Sequence, residues 1–180
     1  MVDTLLRPDQ RTQATAWGSN RARIWTMIVA CVGVTLVIAS MVALNTALGD
    51  IAVATSATQS QLTWIVDCYS VVLACLLLPA GAIGDRYDRR GAFLFGLAVF
   101  AIASLASTVF TSPVQLIAAR GVAGAGAAFI MPATLSLLTA THGEDERAKA
   151  AGIWAGVAGC GAVIGMLGSG TLLHFWSWRS

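Results

Sequence analysis

The sequence predicts an all-α integral membrane protein with about five transmembrane helices. Hydrophobic residues make up 57% of the 180 residues and charged residues only 11%, whereas a water-soluble domain carries about 25% charged residues. The mean hydropathy is +0.74. The apolar residues also form long runs, and because one spanning helix takes about 20 of them, the chain has room for roughly five.

The spans follow a polar stretch over residues 1–23, which we interpret as a cytoplasmic tail. Apolar runs then predict helices, in order, over residues 24–48, 62–83, 92–111, 114–141 and 148–176. Lipid offers no partner to free backbone groups, and these runs are too long and too uniformly apolar for the alternating strands of a membrane barrel. The connectors between the runs are short, so neighbouring helices should be antiparallel.

The basic residues predict the orientation of the chain in the membrane. Those in the tail, the second connector and the fourth connector fall on one side: Arg7, Arg11, Arg21, Arg23, Arg86, Arg89, Arg90, Arg147 and Lys149. The opposite connectors hold none, and only Arg179 lies on that side. Because cytoplasmic loops carry the excess of Lys and Arg, we expect the amino terminus in the cytoplasm.

The connector between the second and third spans concentrates charge. Asp85, Arg86, Asp88, Arg89 and Arg90 fall within six residues. One interpretation is a loop that only fixes topology. The other is an ion-pair latch, in which an arginine binds a carboxylate bidentately and Asp85 accepts from backbone donors at a helix amino terminus, stabilising one of two packed states.

Two ionisable residues lie inside predicted spans, Asp67 in the second and Arg120 in the fourth. Each costs about 2.5–3.5 kcal/mol at a helix centre, so a charge in a span is a functional candidate by default. Both also lie near a span end, where a long side chain can reach the interface and lower that cost. The sequence leaves both interpretations open.

Glycines crowd the fourth and fifth spans. They are Gly121, Gly124 and Gly126 in the fourth, and Gly152, Gly156, Gly159, Gly161, Gly165, Gly168 and Gly170 in the fifth. Small residues let helix backbones approach closely. Tight packing alone explains any one of them, and the whole set also suits a hinge or a sliding surface.

Several of these patterns resemble the major facilitator superfamily. Its loop motif Gly-x-x-x-Asp-Arg-x-Gly-Arg-Arg is similar to residues 81–90, where Gly81, Asp85, Arg86, Arg89 and Arg90 match and Asp88 replaces a glycine. Arg120 and the small residues after it resemble the family's fourth-helix motif, without its glutamine. The resemblance implies a role for that arginine in proton coupling.

The fifth span resembles the antiporter motif of the same family. Gly152, Gly161, Gly165 and Gly170 match it in spacing, while Met166 replaces a proline and Ser169 a glycine. Together with the segments around Asn45 and from Trp64 to Tyr69, this pattern is similar to the 14-helix drug:proton antiporters. In that subgroup an aspartate often precedes the asparagine of the first helix, and Ser40 stands in its place.

The resemblance implies a partial amino-terminal bundle of a longer transporter in the plasma membrane. Its expected activity is proton-coupled efflux of lipophilic cationic drugs, and its expected partners are the cation, protons, the lipid bilayer and a missing carboxyl-terminal half or another membrane subunit. The residues expected to form the proton-coupling and substrate cavity are Asp67, Arg120, Trp64, Tyr69 and Asn45.

A second hypothesis is that the chain is a truncated, non-transporting remnant or a subunit that binds another membrane protein. A third, a small transporter that works as a homodimer, fits the motifs of a longer family less well. No pattern of catalytic, metal-ligating or phosphate-binding residues indicates an enzyme, a metal or a cofactor. The basic residues form no large patch that would indicate nucleic-acid binding.

Overall fold

Five long helices make up the described chain in the computed structural model. The backbone is described for residues 8–141 and 144–175, and side chains for residues 24–140 and 146–171. The helices are α1 Pro8–Thr55, α2 Gln59–Arg86, α3 Arg89–Val109, α4 Pro113–Thr141 and α5 Glu144–Phe175. Within these residues there is no strand, so the predicted all-α fold is confirmed.

All five helices are long and apolar enough to cross a membrane. The segments that qualify are Ile24–Thr55, Gln59–Arg86, Arg89–Val109, Pro113–Ala140 and Glu146–Thr171. The protein is therefore a multi-pass membrane protein. Residues 1–7, 142–143 and 176–180 lie outside the described residues. They include part of the predicted tail, part of a predicted connector, the end of the fifth predicted span and Arg179.

Most helix ends differ from the apolar runs that predicted them. The helix α1 has 48 residues, begins inside the stretch interpreted as a tail and continues seven residues beyond the predicted end at 48. Likewise α2 begins at Gln59, three residues before its apolar run. Hydropathy detects the part of a helix that suits lipid, whereas backbone hydrogen bonding continues through polar residues until a local signal stops it.

Local side chains supply the signals that begin and end the helices. Ser56 has a positive φ of 50°, a left-handed conformation that ends α1. Thr58 and Gln61 then form a capping box, each side chain bonding the other residue's backbone N–H. Asp88 caps α3, and Pro113 opens α4, where its missing N–H is not needed.

The helix α4 lies at the centre of the bundle. Half of its most apolar window is buried, against 17–22% for the other four. Its glycines explain how closely it packs: a Cβ on Gly124 would lie 2.5 Å from the carbonyl oxygen of Tyr69 in α2, and one on Gly126 would lie 2.7 Å from the backbone nitrogen of Phe100 in α3. The helix α5 packs mainly on α1.

Candidate functional site

Arg120 is a charged residue buried in the middle of the bundle. Only 6% of it is exposed. Its guanidinium carbon lies 4.3 Å from the ring centre of Tyr69, a cation–π contact, and its Nη1 donates to the hydroxyl oxygen of Ser40 at 3.2 Å. The Tyr69 hydroxyl in turn donates to the carbonyl oxygen of Val37 at 3.1 Å. These contacts join α4, α2 and α1 around one positive charge.

The guanidinium is only partly satisfied. Nε and Nη2 of Arg120 are buried and have no hydrogen-bond partner among the described residues. Leaving a buried donor unpaired costs about 1–3 kcal/mol, and more when the group is charged. The unpaired donors therefore add to the cost of burying this charge.

A cavity of about 490 Å³ lies over Arg120. Such a volume is in the range of small-molecule sites. Residues of α1 and α5 line one side of the cavity: Leu36, Ala39, Ser40, Ala43, Leu44, Ala47, Ile51, Ile164, Gly165, Gly168 and Ser169. Residues of α3 line the other side: Phe100, Ser104, Ser107 and Thr108. Residues of α4 line the floor: Leu116, Arg120 and Ala123. Ile65 of α2 completes the lining. Among these residues, Arg120 carries the charge.

The structure places the five residues predicted to form one cavity in two separate groups. Tyr69 and Arg120 are in contact, but Asp67, Trp64 and Asn45 are exposed and are not part of the lining. Asp67 and Trp64 are three residues apart, so they share a face of α2. Asn45 donates to the carbonyl oxygen of Met41 in its own helix at 3.4 Å.

The charged connector forms a small hydrogen-bonded cluster, which we call the Asp85 cluster: Asp85, Arg89 and Ser136. The Nε of Arg89 donates to Oδ1 of Asp85 at 3.0 Å, and the hydroxyl of Ser136 in α4 donates to the same oxygen at 2.9 Å. The cluster ties the α2–α3 junction to α4. Arg86 lies instead near the ring of Tyr87, at 5.8 Å from its centre, and Arg90 is exposed.

Two details of the expected latch are wrong. Arg89 contacts Asp85 through one bond and not bidentately. The carboxylate that accepts from a helix amino terminus is Asp88, whose oxygens bond the backbone N–H groups of Arg90 and Gly91 at 3.0 and 2.8 Å. Asp88 lies in extended backbone just before α3, so it is the residue placed to cap that helix, while Asp85 lies inside α2 and reaches α4.

The four motif glycines of α5 lie in two environments. Cβ atoms on Gly161 and Gly165 would lie 3.1 Å from Thr35 and 2.6 Å from Ala39 of α1, respectively. Among the described residues, nothing lies within 4 Å of a Cβ placed on Gly152 or Gly170. Gly81 of the loop motif packs on Pro132 of α4, 3.3 Å from the position of a Cβ.

Comparison with known proteins identifies the family. Residues 24–180 match the family model of the Major Facilitator Superfamily. The chain belongs to the Major Facilitator Superfamily. The membrane bundle and the buried arginine thus occur in a family of transporters.

Relatives in this superfamily are drug-resistance proteins. The chain is 36% identical to the methylenomycin A resistance protein of Bacillus subtilis over 86% of its length. It is 38% identical to the methyl viologen resistance protein SmvA of Salmonella typhimurium over 88%, and 33% identical to the multidrug resistance protein Stp of Mycobacterium tuberculosis over 89%. It spans only 30–33% of the length of these relatives.

Sequence reasoning missed several polar residues of this superfamily member. Ser136 joins Asp85 across 51 residues, and a row of hydroxyls from Ser104, Ser107 and Thr108 faces the cavity. Isolated serines and threonines are ordinary in membrane helices, because each can bond its own backbone, as Ser107 does with the carbonyl oxygen of Ala103. Ser104, Ser107 and Thr108 are spaced at i, i+3 and i+4 in α3. This spacing is the sequence pattern that could have indicated that they share one face of the helix.

Proposed function

We propose that this chain is part of a proton-coupled exporter that carries lipophilic cationic drugs across the plasma membrane, with its amino terminus in the cytoplasm. Export as such is supported by the drug-resistance relatives. The observation that carries the coupling is the buried, partly unpaired Arg120. A cation kept in a low-dielectric place at this cost is usually functional.

Arg120 acts in this proposal by its fixed positive potential. An arginine stays charged at any physiological pH, and charges interact more strongly through protein than through water. Tyr69 stacks on the guanidinium, and Asp67 lies two residues earlier in the same helix. Arg120 therefore holds a fixed positive charge against α2, the helix that also carries Asp67.

Asp67 is the carboxylate at which a proton and a cationic drug compete. It is exposed on the same face of α2 as Trp64, of which 53% is exposed. A carboxylate and an indole one turn apart can attract an aromatic cation by charge and by stacking. The cavity over Arg120 suits a cation poorly because its lining charge is positive, so we assign drug binding to the Asp67 face.

Replacing Asp67 with asparagine tests this assignment. In vesicles of the host membrane that contain the protein, an imposed proton gradient should drive ethidium efflux, and Asp67→Asn should abolish the gradient-dependent part. Asp50→Asn is the matched control, since Asp50 is another exposed carboxylate, near the end of α1. Full gradient-driven efflux by Asp67→Asn would remove this residue from the mechanism.

The alternative function, a membrane subunit that binds a partner without transporting, is favoured by one observation. Among the described residues, nothing lies within 4 Å of a Cβ placed on Gly152, Gly156, Gly159, Gly168 or Gly170, so this part of α5 is uncovered. The mass of the native polypeptide distinguishes the exporter from the partner-binding subunit. A product far heavier than 18.7 kDa supports the exporter, and a product of that mass supports the partner-binding subunit.

A further inference from the structure

Two arginines at the junction of α2 and α3 have no carboxylate partner among the described side chains. The connector holds two aspartates, and both have other partners. Asp85 is bound within the Asp85 cluster, and Asp88 accepts from the backbone at the start of α3. Arg86 and Arg90 are exposed and form no ion pair with a described residue. Two guanidiniums are therefore available to an external anion.

Both arginines continue apolar faces that are exposed on the bundle. Residues three or four apart share a helix face. Ile83 lies three residues before Arg86 in α2 and is 47% exposed, and Leu94 lies four residues after Arg90 in α3 and is 62% exposed. Exposed apolar side chains of a membrane-spanning helix contact acyl chains, which are as apolar as leucine. Each arginine therefore lies at the end of a face that suits lipid.

The length of α3 places the arginines at the depth of the lipid headgroups. This helix, Arg89–Val109, has 21 residues, and at about 1.5 Å per residue it matches a hydrocarbon core about 30 Å thick. Arg90 in its first turn and Arg86 at the end of α2 thus lie where hydrocarbon meets polar headgroups. Tyr87 between them is 79% exposed, and such amphipathic rings are enriched at this interface.

The helix ends that carry the two arginines are in contact. A Cβ on Gly84 of α2 would lie 3.2 Å from the Cβ of Ala92 in α3, two residues before Arg86 and two residues after Arg90. The guanidinium carbon of Arg86 also lies 5.8 Å from the ring centre of Tyr87. A guanidinium presents a planar fork of donors that matches phosphate oxygens, and basic residues between membrane helices bind acidic headgroups.

We propose that Arg86 and Arg90 together bind the phosphate group of an anionic phospholipid, whose acyl chains lie along Ile83 and Leu94. A zwitterionic lipid also carries a phosphate, but its own cationic group offsets the attraction of two guanidiniums. The apolar faces below the arginines favour a lipid over a free phosphate ion. The inference goes beyond the proposed export and does not depend on it.

Photocrosslinking in vesicles tests this site. Leu94 is replaced by the photoreactive residue benzoylphenylalanine, and the full chain is reconstituted in equal parts of phosphatidylglycerol and phosphatidylcholine. After irradiation, mass spectrometry identifies the attached lipid. We expect about tenfold more phosphatidylglycerol than phosphatidylcholine at position 94. The same replacement at Leu105, which is 70% exposed and lies toward the other end of α3, should capture the two lipids equally.

Single substitutions in the connector identify the ligating residues. Arg86→Gln and Arg90→Gln should each lower the preference at position 94 about threefold, because each removes one of two attractive charges. Arg89→Gln is the matched control. It removes the same charge from the same connector, but Arg89 bonds Asp85, so the preference should remain. An excess of inorganic phosphate should leave the preference unchanged.

Equal capture of the two lipids at position 94 overturns the proposal. A loss of preference in Arg89→Gln as large as that in Arg86→Gln would assign the effect to net charge and not to a site. Displacement by inorganic phosphate would make the ligand a free anion. If position 94 crosslinked no lipid while position 105 did, this face of α3 would be covered by protein, which also contradicts the proposal.

Discussion

The burial of Arg120 has both favourable and unfavourable contributions to the free energy of folding. Its stacking on Tyr69 and its bond to Ser40 are favourable, and a cation–π contact away from water contributes about 2 kcal/mol. Against these stand the desolvation of a charge, several kcal/mol even after relaxation, and two unpaired donors. The unfavourable terms are larger, so the residue is a cost to the folded chain taken by itself.

This balance predicts that Arg120→Met stabilises the chain. Methionine keeps most of the apolar stem and removes the buried charge, and such replacements are neutral or stabilising by about 1–4 kcal/mol. We expect a gain of about 1–2 kcal/mol in the free energy of unfolding in detergent micelles, measured by denaturant titration. Arg89→Met is the control, since Arg89 is a partly exposed residue whose ion pair contributes little.

A loss of stability of similar size in Arg120→Met would contradict this prediction. It would mean that the contacts with Tyr69 and Ser40 outweigh the burial of the charge.

At the scale of the element, α5 uses its glycines in two different ways. Gly161 and Gly165 let it lie against the backbone of α1, whereas Gly152, Gly156 and Gly168 meet open space. The first pair is required by packing within this chain. The others weaken the helix without a compensating contact in the described residues, because glycine is about 1 kcal/mol less favourable than alanine inside a helix.

Alanine at a glycine that packs on α1 should therefore lower the stability of the chain, and alanine at an uncovered glycine should raise it. Gly165→Ala places a methyl group 2.6 Å from the backbone of Ala39, which forces the helices apart and should destabilise the chain by about 1–3 kcal/mol. Gly156→Ala should stabilise it by up to about 1 kcal/mol. Thermal unfolding of the two variants in the same micelles measures both effects.

The relative stability of Gly165→Ala and Gly156→Ala tests whether α5 packs closely on α1. If Gly165→Ala proved as stable as Gly156→Ala, the close approach of α5 to α1 would not be a feature of the folded protein. The open face of α5 would then be no different from its packed face.

At the scale of the whole molecule, the Asp85 cluster connects helices that are distant in the sequence. It links the end of α2, the start of α3 and α4 through two bonds to one carboxylate oxygen. Both bonds are exposed, so each is weak and easily broken. A cluster of this kind suits a latch that stabilises one state without preventing the change to another.

We expect Asp85→Asn to slow transport while leaving membrane insertion unchanged, because the latch is weakened and the helices are not. Ser136→Ala should act in the same direction and less strongly, since it removes one of the two bonds. Initial rates of ethidium efflux in the host membrane, corrected for the amount of inserted protein, measure the effect.

Asp88→Asn is the control for this experiment, because asparagine caps a helix as well as aspartate does and the carboxylate of Asp88 bonds the backbone of Arg90 and Gly91. Wild-type rates for both Asp85→Asn and Ser136→Ala would leave the charged connector with a topological role only. Equal slowing by Asp88→Asn would point to the local charge of the connector and not to the latch.

The sequence alone determined that the described part of the chain forms five membrane-spanning helices, and which family the chain resembles. Both depend on local properties: a spanning helix satisfies its own backbone, so a long apolar run is enough to predict it, and the loop motif is contiguous in residues 81–90. Helix ends were less predictable, as α1 shows by continuing to Thr55, because caps and not hydropathy decide where hydrogen bonding stops.

Only the tertiary structure decided which charges are buried and what they contact. Asp67 and Arg120 are alike in sequence, each an isolated charge inside an apolar run, yet Arg120 is covered by two other helices and Asp67 is exposed. Ser40 contacts Arg120 across 80 residues, and Ser136 contacts Asp85 across 51. Such pairs depend on how α4 is rotated and packed against its neighbours, which the close approach of its glycines sets in three dimensions.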